Sequence, residues 1–419
     1  MPKNQVTPAL PDLVESEMRM AVLTFSRIAI DRRVQRQCAV LADMGYAPLV
    51  IAYGSAEDRM PYVHEYYPVP RATLMHRLKT LAFQLPSHLG AWAARLGFWA
   101  EPRHRWALDR LRYHSPRIVI ANDFPALVVA CAYKAETGAL VHYDSHEFAT
   151  LEFDESALWR LVYKPFVTHL ERAYIGASDS VSTVGPSLAK ALQDRYALKN
   201  RPVVIRSTPE AIALPETTPT QWPLRVLYHG NVSPNRGIEE LISSVTLWNE
   251  PHGLIIRGDS KPAYLAQLRQ LAAATGRSDR IVFEAALPPE EVMSVAARTA
   301  DLGVFFTSLE TIQRNFVMPN KLFEYIGAGL AVAISPATDM KAIVEQFQIG
   351  VISSDAGVAA IAAAMNGLTH EGVTIFKENA RTAARTLCWE NERLILRNVI
   401  SALVDRASED SANRVPSNY

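Results

Sequence analysis

The segment Met318-Pro319-Asn320-Lys321-Leu322-Phe323-Glu324-Tyr325-Ile326-Gly327 is followed closely by an apolar run at residues 330–335. This pattern predicts a short helix that begins at a proline, ends at a glycine and leads into a buried strand. In such a helix Lys321 and Glu324 lie three residues apart on one face. The start of a helix binds anions, and a carboxylate one turn later can accept hydrogen bonds from a ribose diol. The segment therefore predicts a nucleotide site.

The composition describes a large chain with balanced charge. It has 419 residues, 49% of them hydrophobic, which is enough for a large core and two domains. Basic and acidic residues both number 43, so a nucleic-acid-binding protein is not expected. The three cysteines lack metal-ligand spacing and favour a reducing, cytoplasmic compartment. We expect no signal peptide, and we expect no transmembrane helix because no apolar run is long enough.

Short apolar runs alternate with helical patterns along the chain, which predicts parallel sheets with helices on both faces. A stretch with prolines at positions 209, 215, 219 and 223 predicts a linker between two such halves. Ligands of doubly wound sheets bind at the carboxyl ends of the strands. Strands are predicted in the first half at residues 20–25, 48–53, 117–121, 140–143, 180–184 and 203–206. In the second half they are predicted at residues 225–229, 253–257, 281–283, 302–306, 330–335 and 350–353.

The loop after the first strand of the second half joins an apolar strand to an amphipathic helix. It runs Gly230-Asn231-Val232-Ser233-Pro234-Asn235-Arg236-Gly237. A loop of this kind is typical of a phosphate cradle, and Arg236 offers a planar fork suited to a diphosphate. The alternatives are that Arg236 is an ordinary surface arginine and that Lys321 and Glu324 form a solvent-exposed helix pair.

Polar residues follow two predicted strands of the first half. Asp123 comes after the strand at 117–121, and Asp144, His146 and Glu147 follow the strand at 140–143. We predict that these side chains line the ligand site, although helix capping by Asp144 or Ser145 is an alternative. Arg33, in the loop after the first strand, is predicted either to contact a diphosphate or an anionic acceptor, or to belong to a surface loop.

Taken in order, these motifs resemble the family 4 retaining glycosyltransferases. The resemblance rests on Asp31-Arg32-Arg33-Val34, Asn122-Asp123, Tyr143-Asp144-Ser145-His146-Glu147, Tyr228-His229-Gly230, Arg236-Gly237, Ala300-Asp301-Leu302-Gly303, the Pro-Asn-Lys-Leu-Phe-Glu-Tyr segment and Trp389-Glu390. It implies an α/β chain with the GT-B fold, in which two Rossmann-like domains face each other across a cleft. The expected domains are 1–212 on the acceptor side and 213–388 for the nucleotide sugar. A helix at 389–406 is expected to cross back to the first domain, and a disordered tail is expected at 407–419.

The resemblance also implies roles for individual residues. Glu324 matches the second acid of the family's Glu-x7-Glu motif, which holds the donor ribose, whereas Phe316 occupies the position of the first acid. Arg236 stands where the family usually has a diphosphate-clamping lysine, and Asn231 stands where many members have arginine. The predicted catalytic residues are Asp123, His146, Arg236 and Lys321. The predicted nucleotide-binding residues are Arg33, Gly230, Asn231, Arg236, Arg257, Asn320, Lys321 and Glu324.

The implied activity is the transfer of a sugar, with retention of configuration, from a UDP- or GDP-sugar to a glycan or lipid-linked acceptor. The expected process is the synthesis of cell-surface polysaccharide or another glycoconjugate. We expect no metal and no cofactor, because arginine, lysine and helix N-termini can stabilise the leaving diphosphate. A catalytically silent glycan-binding or scaffolding homologue and a sugar-nucleotide epimerase remain open alternatives. A dehydrogenase is disfavoured because no Gly-x-Gly-x-x-Gly follows the first strand.

Residues 71–117 form a basic segment that is rich in tryptophan. It contains nine lysines and arginines against two acids, Glu101 and Asp109. Such a segment is typical of a protein surface that docks on an anionic membrane, which would give the chain a peripheral membrane location. The alternative is a set of ordinary helices whose arginines extend over a buried face.

Overall fold

The computed structural model describes residues 18–55, 57–58, 60–70, 73–213 and 219–412. Strands alternate with helices along this part of the chain, as predicted. Its contacts group the chain into two compact units. Unit 1 comprises the residues through Asp144, Ala173–Ser180 and the residues from Val399 onward, and unit 2 comprises Ser145–Arg172 and Val181–Asn398.

The first sheet has seven strands in the order β3-β2-β1-β4-β5-β6-β7. Their bounds are β1 Met20–Arg27, β2 Pro48–Tyr53, β3 Val63–Tyr67, β4 Ile118–Asn122, β5 Leu140–Ser145, β6 Ser180–Thr183 and β7 Val203–Val204. The helices along this part of the chain are α1 Arg32–Asp43, α2 Leu74–Gln84, α3 Ala91–Ala100, α4 Pro102–His114, α5 Asp123–Thr137, α6 Lys164–Tyr174 and α7 Pro186–Tyr196. Strands β2, β4 and β5 are buried at every position. This burial is why β2 is a continuous apolar run and β4 is apolar up to Asn122, whereas β5 also contains buried polar residues.

The second sheet lies in unit 2 and has six parallel strands in the order β10-β9-β8-β11-β12-β13. The strands are β8 Arg225–His229, β9 Gly253–Arg257, β10 Ile281–Glu284, β11 Leu302–Phe305, β12 Ala331–Ile334 and β13 Gly350–Ile352. The helices are α8 Ile238–Ser244, α9 Pro262–Ala274, α10 Val292–Thr299, α11 Ile312–Asn315, α12 Asn320–Gly327, α13 Thr338–Phe347, α14 Val358–Asn366, α15 His370–Ala384 and α16 Trp389–Ala412. The strand order changes direction between β8 and β11, and ligands of such sheets bind at that switch point.

Every strand predicted from the sequence is present, with ends displaced by no more than two residues. Strand β3 was not predicted, because its residues are half-buried throughout and include His64 and Glu65 in place of an apolar run. The division predicted after residue 212 falls in the segment between β7 and β8, which separates the two sheets. None of the helices in the described ranges is long and apolar enough to span a membrane.

The predicted disorder from residue 407 is wrong for residues 407–412, because α16 continues to Ala412. Ala407 is buried, and its carbonyl accepts a hydrogen bond of 2.9 Å from Arg117 Nη2. Arg406 adds an ion pair of 3.0 Å with Asp179. These contacts explain why residues 407–412 are helical although their polar composition suggested disorder. By its contacts, α16 from Val399 onward belongs to unit 1. Residues 413–419 lie outside the described residues.

Asp301 anchors the start of β11 in unit 2. The carboxylate is fully buried and accepts hydrogen bonds from Arg225 Nε and Lys377 Nζ, both at 2.9 Å. Burial raises the pKa of Asp301, but the hydrogen bonds from Arg225 and Lys377 outweigh burial and hold the pKa below its ordinary value. Asp301 therefore forms a buried ion-pair network with Arg225 and Lys377. This network explains why an acidic residue directly precedes the apolar strand β11.

Removing the Asp301 carboxylate from this ion-pair network should strongly destabilise the fold. We expect Asp301→Ala to lower the free energy of unfolding by about 3–5 kcal/mol, because it leaves the buried Lys377 ammonium without its partner. Asp109→Ala is the matched control. Asp109 pairs with Arg112 on the surface, so its removal should change stability by less than about 1 kcal/mol. Urea denaturation of both variants measures the difference, and similar losses in the two would contradict the buried role.

Candidate functional site

Tyr325 fixes helix α12 against two strands of the second sheet. Its phenol oxygen accepts a hydrogen bond from the backbone N–H of His229 at 3.1 Å and donates one to the carbonyl of Val304 at 3.2 Å. Its ring covers Gly303, where a Cβ atom would lie only 2.2 Å from the ring. Helix α12 is therefore held beside β8 and β11, where the strand order changes direction.

Lys321 is a buried lysine at the start of α12. Its side chain lies over aromatic rings, with Nζ 3.8 Å from the ring centroid of Tyr228 and 4.9 Å from that of Phe305. Burial, together with the positive charge of Arg236, lowers the pKa of Lys321 to about 7. With 9% of its surface exposed, Lys321 does not belong to a solvent-exposed helix pair, which was the alternative to a ligand role.

The loop between β8 and α8 packs directly against this lysine. Gly230 has a φ of 103°, and a Cβ atom there would lie 3.7 Å from Cε and Nζ of Lys321. At the other end of the loop, Gly237 has a φ of 71°, and a Cβ atom would overlap the carbonyl oxygen of Phe306. Glycine is therefore required at both ends. The exposed Arg236 precedes α8 and lies close enough for its charge to act on Lys321.

Glu324 lies one turn after Lys321 and beside the last residue of β8. Its Oε2 atom is 3.3 Å from Nε2 of His229, and 30% of its side chain is exposed. Burial, with the charges of Lys321 and Arg257, lowers the pKa of His229 to about 3, so the imidazole is neutral near pH 7. A carboxylate that faces solvent beside a neutral ring is suited to accept hydrogen bonds from a neutral diol.

The other predicted nucleotide-binding residues of unit 2 differ in their surroundings. Asn320 is exposed in the first turn of α12, and the side chain of Asn231 is also exposed. Arg257 is buried and donates to Glu284 at 2.6 Å and to Thr299 at 3.2 Å. These contacts give Arg257 structural partners, and its role in nucleotide binding remains a prediction.

Unit 1 contains a second polar cluster, at the carboxyl ends of β4 and β5. Arg33 donates to both carboxylate oxygens of Asp144, through Nε and Nη2, each at 2.7 Å. Gln37 donates through Nε2 to Asp144 at 2.7 Å and to Asn122 at 2.9 Å. Arg33 is thus part of a buried network, not of a loose surface loop. Gln37 was missed from the sequence, although its spacing of four residues from Arg33 places both on one face of α1.

Asp123 is in an unusual backbone conformation. It is the first residue of α5 and has a φ of 63°, which is uncommon for any residue with a side chain. Its charge acts on Arg33 and favours the protonated guanidinium. Strain of this kind often marks a functional position, and Asp123 directly follows the carboxyl end of β4, where ligands of such sheets bind.

The segment after β5 packs against the segment that precedes α12. The backbone N–H of Phe148 donates to Gln313 Oε1 at 3.3 Å, and Gln313 Nε2 donates to Glu147 at 3.4 Å. The rings of Phe148 and Phe316 lie 6.2 Å apart. Phe316, at the position expected for an acid, therefore belongs to an aromatic contact. His146 is partly exposed in the same segment.

The structure therefore places the predicted residues in two groups. Unit 1 contains Arg33 and Asp123, and unit 2 contains His146, Gly230, Asn231, Arg236, Arg257, Asn320, Lys321 and Glu324. Within unit 2, the cation of Lys321, the open backbone at Gly230 and the carboxylate of Glu324 meet at the start of α12. Such a set can bind an anion and a diol side by side. In the described part of the chain, no cluster of three or more His, Cys, Asp or Glu residues is arranged to hold a metal ion.

Residues 223–371 match the family model described as glycosyl transferases group 1. This match covers the second sheet and helices α8–α14, including the loop at 230–237 and all of α12. No curated protein matches the sequence.

Solved structures match nearly the whole chain. Sucrose-phosphate synthase from Thermosynechococcus elongatus is 14% identical with a TM-score of 0.70, covering 93% of this chain and 100% of its own. HepE from Anabaena, in complex with UDP and glucose, is 14% identical with a TM-score of 0.65, covering 92% and 100%. WaaG, a glycosyltransferase involved in lipopolysaccharide biosynthesis, is 17% identical with a TM-score of 0.63, covering 91% and 99%. At these identities the similarity shows the fold, and the predicted GT-B fold is confirmed.

A lysine that is buried in order to bind a ligand should lower the stability of the ligand-free protein. The folded pKa of Lys321, about 7, lies below the ordinary value of 10.5. Below about pH 7 the buried ammonium carries its full desolvation penalty, which is relieved as the pH rises towards the unfolded value. We expect Lys321→Met to be more stable than the natural protein by more than about 1 kcal/mol near pH 6, with a smaller difference near pH 9.

Urea denaturation at both pH values tests this expectation. Lys341→Met is the control, because Lys341 is exposed and its replacement should have little effect at either pH. If Lys321→Met instead destabilised the protein at both pH values, Lys321 would be a structural residue.

Proposed function

We propose that this chain, whose residues 223–371 match the family model described as glycosyl transferases group 1, transfers a sugar from a nucleoside-diphosphate sugar to a glycan or lipid-linked acceptor, with retention of anomeric configuration. The observation that carries the proposal is the meeting of Gly230, Lys321 and Glu324 at the start of α12. We place the reaction in the synthesis of a cell-surface polysaccharide or another glycoconjugate.

In the proposed site Lys321, Arg236 and the loop that begins at Gly230 bind the diphosphate. As the bond between the sugar and the diphosphate breaks, negative charge develops on the leaving group. A buried ammonium stabilises that charge strongly because little water screens it. These cationic groups do the work that a metal ion does elsewhere, so we propose a reaction without a metal or another cofactor.

Glu324 is proposed to bind the donor ribose. Its carboxylate is partly exposed and lies beside a neutral histidine, so it can accept two hydrogen bonds from a diol. For the base we favour uracil, with guanine as the second choice. The support is that HepE, which shares the fold, has been solved with UDP and with UDP-glucose.

The transferred sugar is proposed to be recognised without an acid at position 316. Phe316 packs near Phe148, so position 316 offers an aromatic ring and no carboxylate. Gln313 and Glu147 provide polar groups on the same two segments. We propose that Asp123 and His146 contact the acceptor. The support is the strained backbone of Asp123 and the partial exposure of His146.

The three cysteines support a reducing compartment, and we propose that the reaction takes place in the cytoplasm. All three are free, and all three are buried. A secreted chain of this size would more often use such residues in disulfides.

Donor binding tests the assignment of the site. We expect Glu324→Gln to weaken the binding of UDP at least about tenfold, because a charge-assisted hydrogen bond contributes about 1.5–3 kcal/mol. Its melting temperature should stay within about 2 °C of that of the natural protein. Calorimetric titration measures the affinity, and Glu290→Gln, an exposed acid in a loop of the same unit, is the control. Equal affinities in all three proteins would show that Glu324 does not hold the nucleotide.

Release of nucleoside diphosphate tests the activity. The protein is incubated with UDP-, GDP- and ADP-sugars, with and without glycan and lipid-linked acceptors, and the released diphosphate is measured. Release from a UDP-sugar that depends on acceptor supports sugar transfer. Conversion of the sugar without transfer would favour the epimerase. Tight UDP binding without any release would favour the silent homologue, which the aromatic contact of Phe316 keeps as the second candidate.

A further inference from the structure

Helix α3 exposes two of its large apolar side chains. Trp92 and Leu96 are 60% and 66% exposed, and they lie four residues apart on one face. The opposite face is buried and consists of the small residues Ala93, Ala94 and Gly97 together with Phe98. A surface helix in water normally turns its large apolar side chains towards the core, as Phe98 does. The outward position of Trp92 and Leu96 is a partial reversal of this pattern, and it indicates that the outer face contacts something other than water.

The preceding turn, Leu85–Leu89, shows the same reversal. Leu85 and Leu89 are 50% and 67% exposed, whereas Gln84 and Ser87 are buried. Within the described residues, Gln84 Oε1 and the Ser87 hydroxyl have no hydrogen-bond partner. Burying these polar atoms without hydrogen bonds is unfavourable, yet the leucines of the same turn are exposed. Helix α2 adds two more exposed apolar residues, Leu78 and Phe83.

The three segments pack against one another in unit 1, and together they form one surface, which we call the α2–α3 surface. Its exposed apolar residues are Leu78, Phe83, Leu85, Leu89, Trp92 and Leu96. Single exposed apolar residues are common in proteins, but six within a stretch of 19 residues mark an interaction site.

Charge indicates what the α2–α3 surface contacts. Between Glu65 and Glu101 the sequence has no acidic residue, whereas it has four basic ones, Arg71, Arg77, Lys79 and Arg95. Of these, Arg95 is exposed beside Trp92 and Leu96, Arg71 lies outside the described residues, and the side chains of Arg77 and Lys79 are not described. A surface of leucine, phenylalanine and tryptophan that carries an exposed arginine and comes from an acid-free stretch of sequence matches a bilayer with anionic headgroups, where tryptophan prefers the boundary between water and lipid.

Helix α4 differs, although it carries four of the eight arginines of the basic segment at 71–117. Arg112 forms an ion pair of 2.6 Å with Glu136, and Arg110 lies 3.9 Å from Glu65. Its arginines are thus partly neutralised by acids of the same unit. The structure narrows the surface predicted from the sequence to residues 78–96.

We propose that the α2–α3 surface docks on an anionic lipid bilayer, with Leu89, Trp92 and Leu96 inserted at the boundary of the acyl chains. Docking on the bilayer does not depend on sugar transfer. A docked protein would meet a lipid-linked acceptor more readily than a soluble glycan, and this inference about the acceptor rests on the proposed function.

Sedimentation with vesicles tests docking in the absence of any donor. We expect the full chain to bind vesicles of equal parts phosphatidylcholine and phosphatidylglycerol, to bind phosphatidylcholine alone at least about tenfold more weakly, and to be released by salt. The double variant Trp92→Ser/Leu96→Ser should lose about tenfold or more of its binding to the mixed vesicles. The matched control is Leu247→Ser/Leu394→Ser, which removes side chains of unit 2 that are 50% and 56% exposed. It should bind like the natural protein.

Three outcomes would overturn the proposal. The first is that the natural protein does not bind the mixed vesicles, and the second is that both double variants lose binding equally. The third is a lipid-free dimer, detected by analytical ultracentrifugation, that the Trp92→Ser/Leu96→Ser variant dissociates, since the surface would then join two copies of the chain. A protein that binds vesicles but transfers no sugar would refute the proposed function alone.

Discussion

The hydroxyl of Tyr325 is the contact on which the geometry of the candidate site depends. It joins the ends of β8 and β11 through two hydrogen bonds to backbone groups, while the ring occupies the space left by the missing side chain of Gly303. Apolar packing of Leu322, Phe323 and Ile326 holds α12 on the sheet, but apolar contacts have little directional preference. The two hydrogen bonds fix the rotation of the helix, and this rotation places Lys321 and Glu324.

Lys321 illustrates a conflict between stability and ligand binding. Two aromatic rings offset part of the unfavourable burial of its ammonium group, by about 2 kcal/mol or more for a desolvated contact. The lowered pKa shows that the offset is incomplete. An anion bound beside Gly230 would stabilise the Lys321 ammonium. The cost of burying this ammonium in the free protein would then be recovered when the anion binds.

Part of this site was predictable from the sequence, and the reasons differ from residue to residue. The strands and α12 were predicted because buried parallel strands are continuous apolar runs and a helix has a fixed period. Gln313 and Gln37 were missed because an isolated glutamine carries no local signal. The end of α16 was predicted wrongly because Arg117, far away in the sequence, orders the carbonyl of Ala407. The edge strand β3 lacks the apolar run by which the other strands were found.

The sequence by itself determined the order of strands and helices, the spacing of Lys321 and Glu324, and the presence of Phe316 where an acid was expected. These are local properties, set by which residues follow one another. Only the tertiary structure decided that Arg33 pairs with Asp144 across 111 positions, that Lys321 lies over Tyr228, and that α3 turns Trp92 outward. The physical reason is that a pattern specifies which side chains are apolar or charged, whereas the packing of distant segments decides which face is buried and which charges meet.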